Sequence, residues 1–158
     1  MFYEESYQAC LAAIVTEAIA ALAPVRDDRL VQHVARLHRF SRAGREIKER
    51  VLALLPEANA RTTEEGLTFI WPCDTVPASW HRFRPPAPGI ALDPSDLPLE
   101  ELTALARACT QADASDETIL QAMRDACGLK RLVGESRQRC WRALNRSRSG
   151  HVTEPPAA

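Results

Sequence analysis

The stretch Asp27–Leu55, DDRLVQHVARLHRFSRAGREIKERVLALL, reads as a short helix, a basic turn and a second helix. The stretch Asp116–Leu144, DETILQAMRDACGLKRLVGESRQRCWRAL, follows 89 positions later with the same pattern. The shared apolar positions are Leu30, Val31, Val34, Phe40, Val51 and Leu55 in the first stretch and Ile119, Leu120, Met123, Leu129, Cys140 and Leu144 in the second. Because apolar period and turn chemistry specify local structure, this repeat predicts two helix-turn-helix units in tandem.

The segments around the first stretch predict a winged-helix-like unit over residues 1–72. Apolar residues recur at three- and four-residue steps over residues 7–22, which predicts a helix before the repeated pair. Two short strands are predicted at residues 60–63 and 67–71, with Gly66 in the turn between them. Three helices followed by a small β-hairpin wing is the winged-helix order.

The rest of the sequence predicts a connector, a second unit and a tail. Residues 73–97 are rich in proline, and because proline supplies no ladder donor this segment is predicted to be an extended connector. Residues 98–146 are predicted to form a second three-helix helix-turn-helix unit. Its helices are predicted at residues 99–109, 116–127 and 134–145. Residues 147–158 lack apolar content and are predicted to be a disordered tail. The fold class predicted for the chain is therefore mostly α.

Composition indicates a globular protein with unevenly placed charge. The chain has 158 residues, of which 46% are hydrophobic, and a formal net charge of −1. This balance argues against a protein that wraps nucleic acid over its whole surface. Positive charge is concentrated in the repeated stretches and just beyond them. The residues are Arg36, Arg39, Arg42, Arg45, Lys48 and Arg50 in the first group and Lys130, Arg131, Arg137, Arg139, Arg142, Arg146 and Arg148 in the second.

The second helix of each repeated stretch, with the turn before it, is the candidate DNA-binding surface. A helical wheel turns Ile47 and Val51 inward and Arg45 outward. The candidate DNA-binding residues are Arg42, Arg45, Lys48, Arg131, Gln138 and Arg142. Because an arginine fork or a lysine can hold a phosphate, they are predicted as phosphate contacts and not as base readers. The alternative is a solvated helix face, in which Arg45 and Glu49 form an ordinary ion pair.

Two other segments give expectations about DNA contact. Glu64 and Glu65 lie at the predicted hairpin tip, where a phosphate backbone would repel them, so the wing is not expected to touch DNA. The run WHRFR at residues 80–84 alternates aromatic and basic groups and could bind a single strand by stacking bases and neutralising phosphates. The alternative is that its aromatic rings pack on a neighbouring domain while its arginines face water.

The sequence does not predict an enzyme. Paired carboxylates fall at helix starts or turns, where capping explains them, and neither a glycine-rich phosphate loop nor a nucleophile elbow is present. The five cysteines have no CxxC spacing and form no cluster with the four histidines, so no metal and no cofactor are predicted. The cysteines are interpreted as reduced core residues of a cytoplasmic protein. No apolar run approaches the roughly 20 residues that span a bilayer, so no membrane partner is predicted.

Five short motifs occur along the chain between about residues 3 and 145. They are Ala23-Pro24-Val25, Arg42-Ala43-Gly44-Arg45, Phe69-Ile70-Trp71-Pro72, Leu97-Pro98-Leu99-Glu100-Glu101 and Gly128-Leu129-Lys130-Arg131. In order and spacing they resemble the C-terminal region of large bacterial superfamily 1 DNA helicases, which includes a winged-helix-like part and ends in a domain of unknown function. Many of those proteins also carry an endonuclease segment of the very-short-patch-repair type, and some belong to anti-phage defence loci. The chain departs from them at Arg39, where a glycine is usual, and at residues 22–23, where Glu-Gly is usual.

The resemblance implies an accessory module of a DNA-processing machine. Neither the helicase motor nor the nuclease is present in the chain, so neither activity carries over. The expected function is non-catalytic DNA binding or DNA positioning, with DNA and the helicase or nuclease domains of the same system as partners. The alternative is a protein-interaction or dimerisation module of that machine without DNA contact. A third possibility, a cryptic nuclease, predicts metal-dependent cleavage that carboxylate substitution would abolish.

Overall fold

The computed structural model describes residues 1–149 of the chain as six α-helices and a small antiparallel sheet. The mostly α fold class expected from the sequence is confirmed. The residues divide into two units, of which the first ends at Pro77 and the second begins at Ala78. Each unit has its own cluster of buried apolar side chains.

The first unit combines three helices with a three-stranded sheet. Its elements are α1 (Gln8–Leu22), β1 (Val25–Arg26), α2 (Asp27–Leu37), α3 (Arg45–Ala53), β2 (Asn59–Glu64) and β3 (Leu67–Cys73). β3 lies in the middle of the sheet and pairs antiparallel with both β1 and β2. The predicted hairpin is confirmed, and its strands are longer than predicted. β1 was not predicted, because two residues are too few to show an alternating pattern.

Within residues 78–149, all regular secondary structure of the second unit is helical. Its helices are α4 (Leu99–Cys109), α5 (Asp116–Ala126) and α6 (Gly134–Ser149). Two short 3₁₀ turns precede α4, one at Pro77–Ser79 on the unit boundary and one at Pro94–Asp96. α4 has the predicted bounds, and α5 ends one residue earlier than predicted.

The predicted tail at residues 147–158 begins too early. α6 does not end at Asn145 but continues through Ser149. Ser147 is only 5% exposed, and its hydroxyl donates to the carbonyl oxygen of Leu144 at 2.6 Å. Low apolar content does not stop a helix from continuing here, because a serine hydroxyl can bond to the preceding turn while the helix packs. The remainder of the predicted tail, residues 150–158, lies outside the described residues.

The repeat seen in the sequence is present in the helix bounds. α2 and α5 begin and end 89 positions apart, and α3 and α6 also begin 89 positions apart. The equivalent pairs Leu30 and Ile119, Val31 and Leu120, Val34 and Met123, Val51 and Cys140, and Leu55 and Leu144 are all buried. In each pair the first residue belongs to the core of the first unit and the second to the core of the second unit. The apolar positions shared by the two stretches therefore define both cores.

α2 ends in a Schellman motif. The N–H of Phe40 donates to the carbonyl oxygen of Ala35 at 3.0 Å, and the N–H of Arg39 donates to that of Arg36 at 2.9 Å. This pair of bonds requires a residue in the left-handed backbone region just beyond the helix, a role that glycine usually fills. Arg39 fills it here, with a φ of +62°.

α5 ends in the same motif. The N–H of Leu129 donates to the carbonyl oxygen of Arg124 at 3.1 Å, and the N–H of Gly128 donates to that of Asp125 at 3.0 Å. Gly128 has a φ of +71° and stands 89 positions after Arg39. The two turns thus share one geometry, but only the second has the residue that adopts it without a steric cost.

Arg39→Gly is expected to stabilise the protein by about 1 kcal/mol, because it removes the clash of a Cβ in the left-handed region. Gly128→Ala is the matched opposite change and should destabilise by at least that amount. A Cβ at residue 128 would also lie 3.1 Å from the carbonyl oxygen of Ile90. Urea unfolding followed by circular dichroism measures both changes. A lower midpoint for Arg39→Gly would contradict the strain assigned to Arg39.

The predicted extended connector at residues 73–97 is divided between β3 and the second unit. Its first residue ends β3, and the part that follows Pro77 is bonded into the second unit. The N–H of Leu92 donates to the carbonyl oxygen of Cys127 at 2.8 Å. The hydroxyl of Ser136 donates to Asp93 Oδ1 at 2.9 Å. Prolines block strand pairing but not packing, so the proline count was a poor guide to whether this segment is part of a domain.

Candidate nucleic-acid interface

The first three predicted DNA-contacting residues lie on one side of the turn before α3 and of α3 itself. Arg42, Arg45 and Lys48 are all exposed, whereas Ile47 and Val51 on the other side of α3 are 5% and 0% exposed. The helical wheel therefore gave the correct orientation for these side chains. Their contact with DNA stays a prediction.

Two of these cations share a hollow of about 270 Å³ between α2 and α3. Arg42 and Lys48 line it together with Arg29. Asp28 lines it too, but its carboxylate is paired with the guanidinium of Arg26. The hydrogen bond from Arg26 holds the pKa of Asp28 below its usual range. An anion that entered the hollow would therefore meet three cationic side chains and a carboxylate that is already compensated.

Arg45 differs from Arg42 and Lys48 because it has a carboxylate partner. Its Nε donates to Glu49 Oε1 at 2.8 Å, one helical turn away, and the side chains are 91% and 64% exposed. This is the ion pair that the alternative interpretation of the helix face expected. Such an exposed pair contributes about 0.3–0.5 kcal/mol, so a phosphate could displace the carboxylate at small cost.

The second group of predicted residues is brought together only in part. Gln138 and Arg142 are exposed and line one hollow of about 680 Å³ on the surface of α6. Arg131 is exposed in the turn between α5 and α6 and is not among the residues that line this hollow. Trp141, which is 41% exposed, also lines it and was missed by the sequence analysis. The helical wheel could have found it, because residue 141 follows residue 138 by three positions on one helix face.

Several other arginines of the second basic group are turned toward protein partners. Arg139 is fully buried, and its guanidinium donates to two backbone carbonyls. Ion pairs also join Arg137 to Glu117 at 2.6 Å, Arg146 to Glu100 at 3.5 Å, and Arg148 to Asp116. Hydrogen bonds from Arg137 and Arg148 lower the pKa values of Glu117 and Asp116, so both carboxylates stay ionised at neutral pH. Much of the positive charge that the sequence concentrates here is therefore compensated.

The hairpin tip carries negative charge, as the sequence indicated. Glu65 and Gly66 form the two-residue turn between β2 and β3, and both lie in the left-handed region with φ values of +51° and +78°. Positive φ at both central residues is the mark of a type I′ turn, which two-residue hairpins favour because its twist matches that of the strands. The expectation that the wing does not touch DNA stays untested.

The aromatic and basic run at residues 80–84 is largely occupied by contacts within its own unit. The guanidinium carbon of Arg82 lies 4.5 Å from the centre of the Trp80 ring, so Arg82 covers one face of that ring. Phe83 is half-buried against the core of the second unit. Arg84 pairs with the fully buried carboxylate of Glu101 at 3.1 Å. These contacts favour packing over single-strand binding by this run, but Phe83 packs within its own unit and Arg84 is paired with Glu101, so the expected neighbouring domain and water-facing arginines are not what the structure shows.

The cysteines differ in burial, and Cys109 is half-buried. Cys127 and Cys140 are fully buried, and burial raises their pKa values to about 11 and about 12, so both stay protonated. Cys10 and Cys73 are exposed, so their interpretation as core residues is wrong. The three- and four-residue spacing of residues 7–22 includes Cys10, but in α1 Cys10 lies at the edge of the apolar stripe, beside the buried Leu11.

Residues 1–149 contain no group of three or more histidine, cysteine, aspartate or glutamate side chains placed to hold a metal ion. None of the helices in that range is both long and apolar enough to cross a membrane.

The N-terminal part of the chain is similar to a known family. Residues 1–49 match the model of a family described as "Protein of unknown function (DUF3320)". The match covers the first two helices and the turn with Arg42, and it ends inside α3. No curated protein and no solved structure matches the chain.

Proposed function

We propose that the protein is a non-catalytic DNA-binding or DNA-positioning module. The observation that carries this proposal is the hollow beside α3, where Arg42 and Lys48 meet a third cation. The order of the first unit, α1-β1-α2-α3-β2-β3 with β1 paired to β3, supports the winged-helix assignment that we propose, and in such a unit the helix equivalent to α3 would face DNA. The six sequence-predicted residues are the proposed contacts, and Arg42 and Lys48 are the two with the strongest structural support.

A salt titration with duplex DNA tests this proposal. Each phosphate contact adds about 0.9 to the slope of log affinity against log salt concentration, so Arg42→Ala with Lys48→Ala should reduce the slope by about two. Arg36→Ala with Arg107→Ala is the matched control, because it removes two exposed arginines outside the proposed site. An equal slope for the wild type and the Arg42/Lys48 variant would exclude this site.

We further propose that the module serves a helicase or nuclease system. The family match over residues 1–49 is compatible with this, since the resembling helicase region also contains a domain of unknown function. Co-purification of the tagged protein with a helicase or nuclease from its own cells would support the association.

The second candidate function is a protein-interaction or dimerisation module. The ion pairs of α5 and α6 favour it, because they leave less uncompensated positive charge for a polyanion. This function predicts that neither the Arg42/Lys48 variant nor the Arg36/Arg107 variant changes DNA binding. It also predicts that sedimentation velocity detects a dimer or a complex with a motor domain.

A further inference from the structure

The outward face of α6 presents an aromatic ring between polar side chains. Gln138, Trp141, Arg142 and Asn145 follow the three- and four-residue spacing of one helix face, and all are exposed. The opposite face is fixed, since Arg139, Cys140, Ala143 and Leu144 are 0% exposed. The exposed ring is therefore held on a rigid support.

Trp141 is the most accessible tryptophan of the described residues. Trp71 is 0% exposed and Trp80 has Arg82 over its ring, whereas Trp141 is 41% exposed. An isolated exposed apolar side chain needs no explanation, but this ring lines a hollow of about 680 Å³.

The chemistry around the ring matches an unpaired nucleotide. A nucleobase can stack on an exposed indole face, and the amide of Gln138 can donate to and accept from a base edge. Arg142 adds positive charge for the phosphate beside that base. Arg137 and Gly134 also line the hollow.

We infer that α6 binds single-stranded DNA by stacking an unpaired base on Trp141, with Gln138 at the base edge and Arg142 at the phosphate. This inference rests on the proposed DNA-binding function and specifies the form of DNA that the second unit takes. A single strand fits better than a duplex, because the base faces inside a duplex are covered by their neighbours and cannot stack on a side chain.

The test uses the full chain and a 12-nucleotide oligothymidylate, which does not pair with itself. We expect it to quench tryptophan emission in the wild type and to leave emission nearly unchanged in Trp141→Phe. Trp141→Ala should weaken oligothymidylate binding roughly 5- to 100-fold, with Trp141→Phe in between, because stacking depends on the ring area. The salt slope should stay the same in both variants, since no phosphate contact is lost. Ile90→Ala is the matched control, because Ile90 is an exposed apolar side chain of the same unit, 58% accessible, outside the hollow.

Each outcome is decisive. If duplex DNA binds with the expected salt slope while Trp141→Ala binds oligothymidylate as the wild type does, this inference is overturned and the proposed function stands. If oligothymidylate quenches Trp141 but the Arg42 and Lys48 substitutions leave duplex binding unchanged, this inference stands and the site on α3 is excluded. If Trp141→Ala instead abolishes self-association in sedimentation velocity, the hollow is a protein interface and the inference is overturned.

Discussion

Arg139→Ala is expected to lower the free energy of unfolding by about 3–5 kcal/mol, because it removes a large buried side chain and the partners of two buried carbonyls. Arg139 is fully buried in α6. Its Nε donates to the carbonyl oxygen of Pro94 at 3.1 Å, and its Nη2 donates to that of Leu97 at 2.6 Å. These bonds tie α6 to the segment that leads into α4. Urea unfolding followed by circular dichroism measures the loss.

The repeat supplies the control for this substitution. Arg50 stands 89 positions before Arg139 and also donates to a backbone carbonyl ahead of the first helix of its unit, that of Glu4 at 3.0 Å. Its side chain is only half-buried, so Arg50→Ala should cost about 1 kcal/mol. Equal losses for the two variants would show that burial does not set the cost at residue 139.

Arg84→Ala is expected to destabilise the protein by about 3 kcal/mol near neutral pH, because it leaves the carboxylate of Glu101 buried without its guanidinium. Glu101 is 0% exposed, and both of its oxygens accept from Arg84 Nε at 3.2 Å. The value is at the lower end for a buried pair, since the Arg84 side chain is 36% exposed and water reaches it. Thermal and urea unfolding of the variant at several pH values measure the cost.

The pH dependence identifies the buried carboxylate as the cause. Burial raises the pKa of Glu101, and Arg84 opposes that rise, so removing Arg84 should raise the pKa further. A carboxyl whose pKa is higher in the folded than in the unfolded state takes up a proton on folding when the pH lies between those two pKa values. Stability therefore falls as pH rises from the unfolded to the folded pKa, and the loss in Arg84→Ala should shrink on acidification. Glu101→Gln should restore most of the stability to Arg84→Ala. A loss that is independent of pH between 5 and 8 would exclude this cause.

The helices of the protein could be predicted because the apolar period is strong. α4 and α5 have the predicted starts, and the repeat of 89 positions locates the buried face of both units. The extension of α6 could not be predicted, since polar residues such as Ser147 become buried only through contacts with other helices. β1 was missed because its two residues depend on β3 for their hydrogen bonds. Tertiary contacts override local preference in both cases.

The candidate site could be predicted in orientation but not in charge. A helical wheel gives the direction of Arg45 and Gln138, because direction follows from position along the helix. It cannot show that Arg137 and Arg148 meet carboxylates of α5, since those partners are distant in sequence. The count of basic residues therefore overstated the free positive charge of the second unit.

The proline-rich segment ahead of α4 resembles a spacer but supplies part of the interior of a domain. It carries Arg84, which pairs with Glu101, and the carbonyl oxygen of Pro94, which accepts a hydrogen bond from Arg139 Nε. A true spacer can gain or lose residues without consequence, because its ends only need to span a distance. Here a single inserted residue would displace a contact to a buried charged side chain. Among related proteins, the length of this segment should therefore vary as little as the length of a core helix.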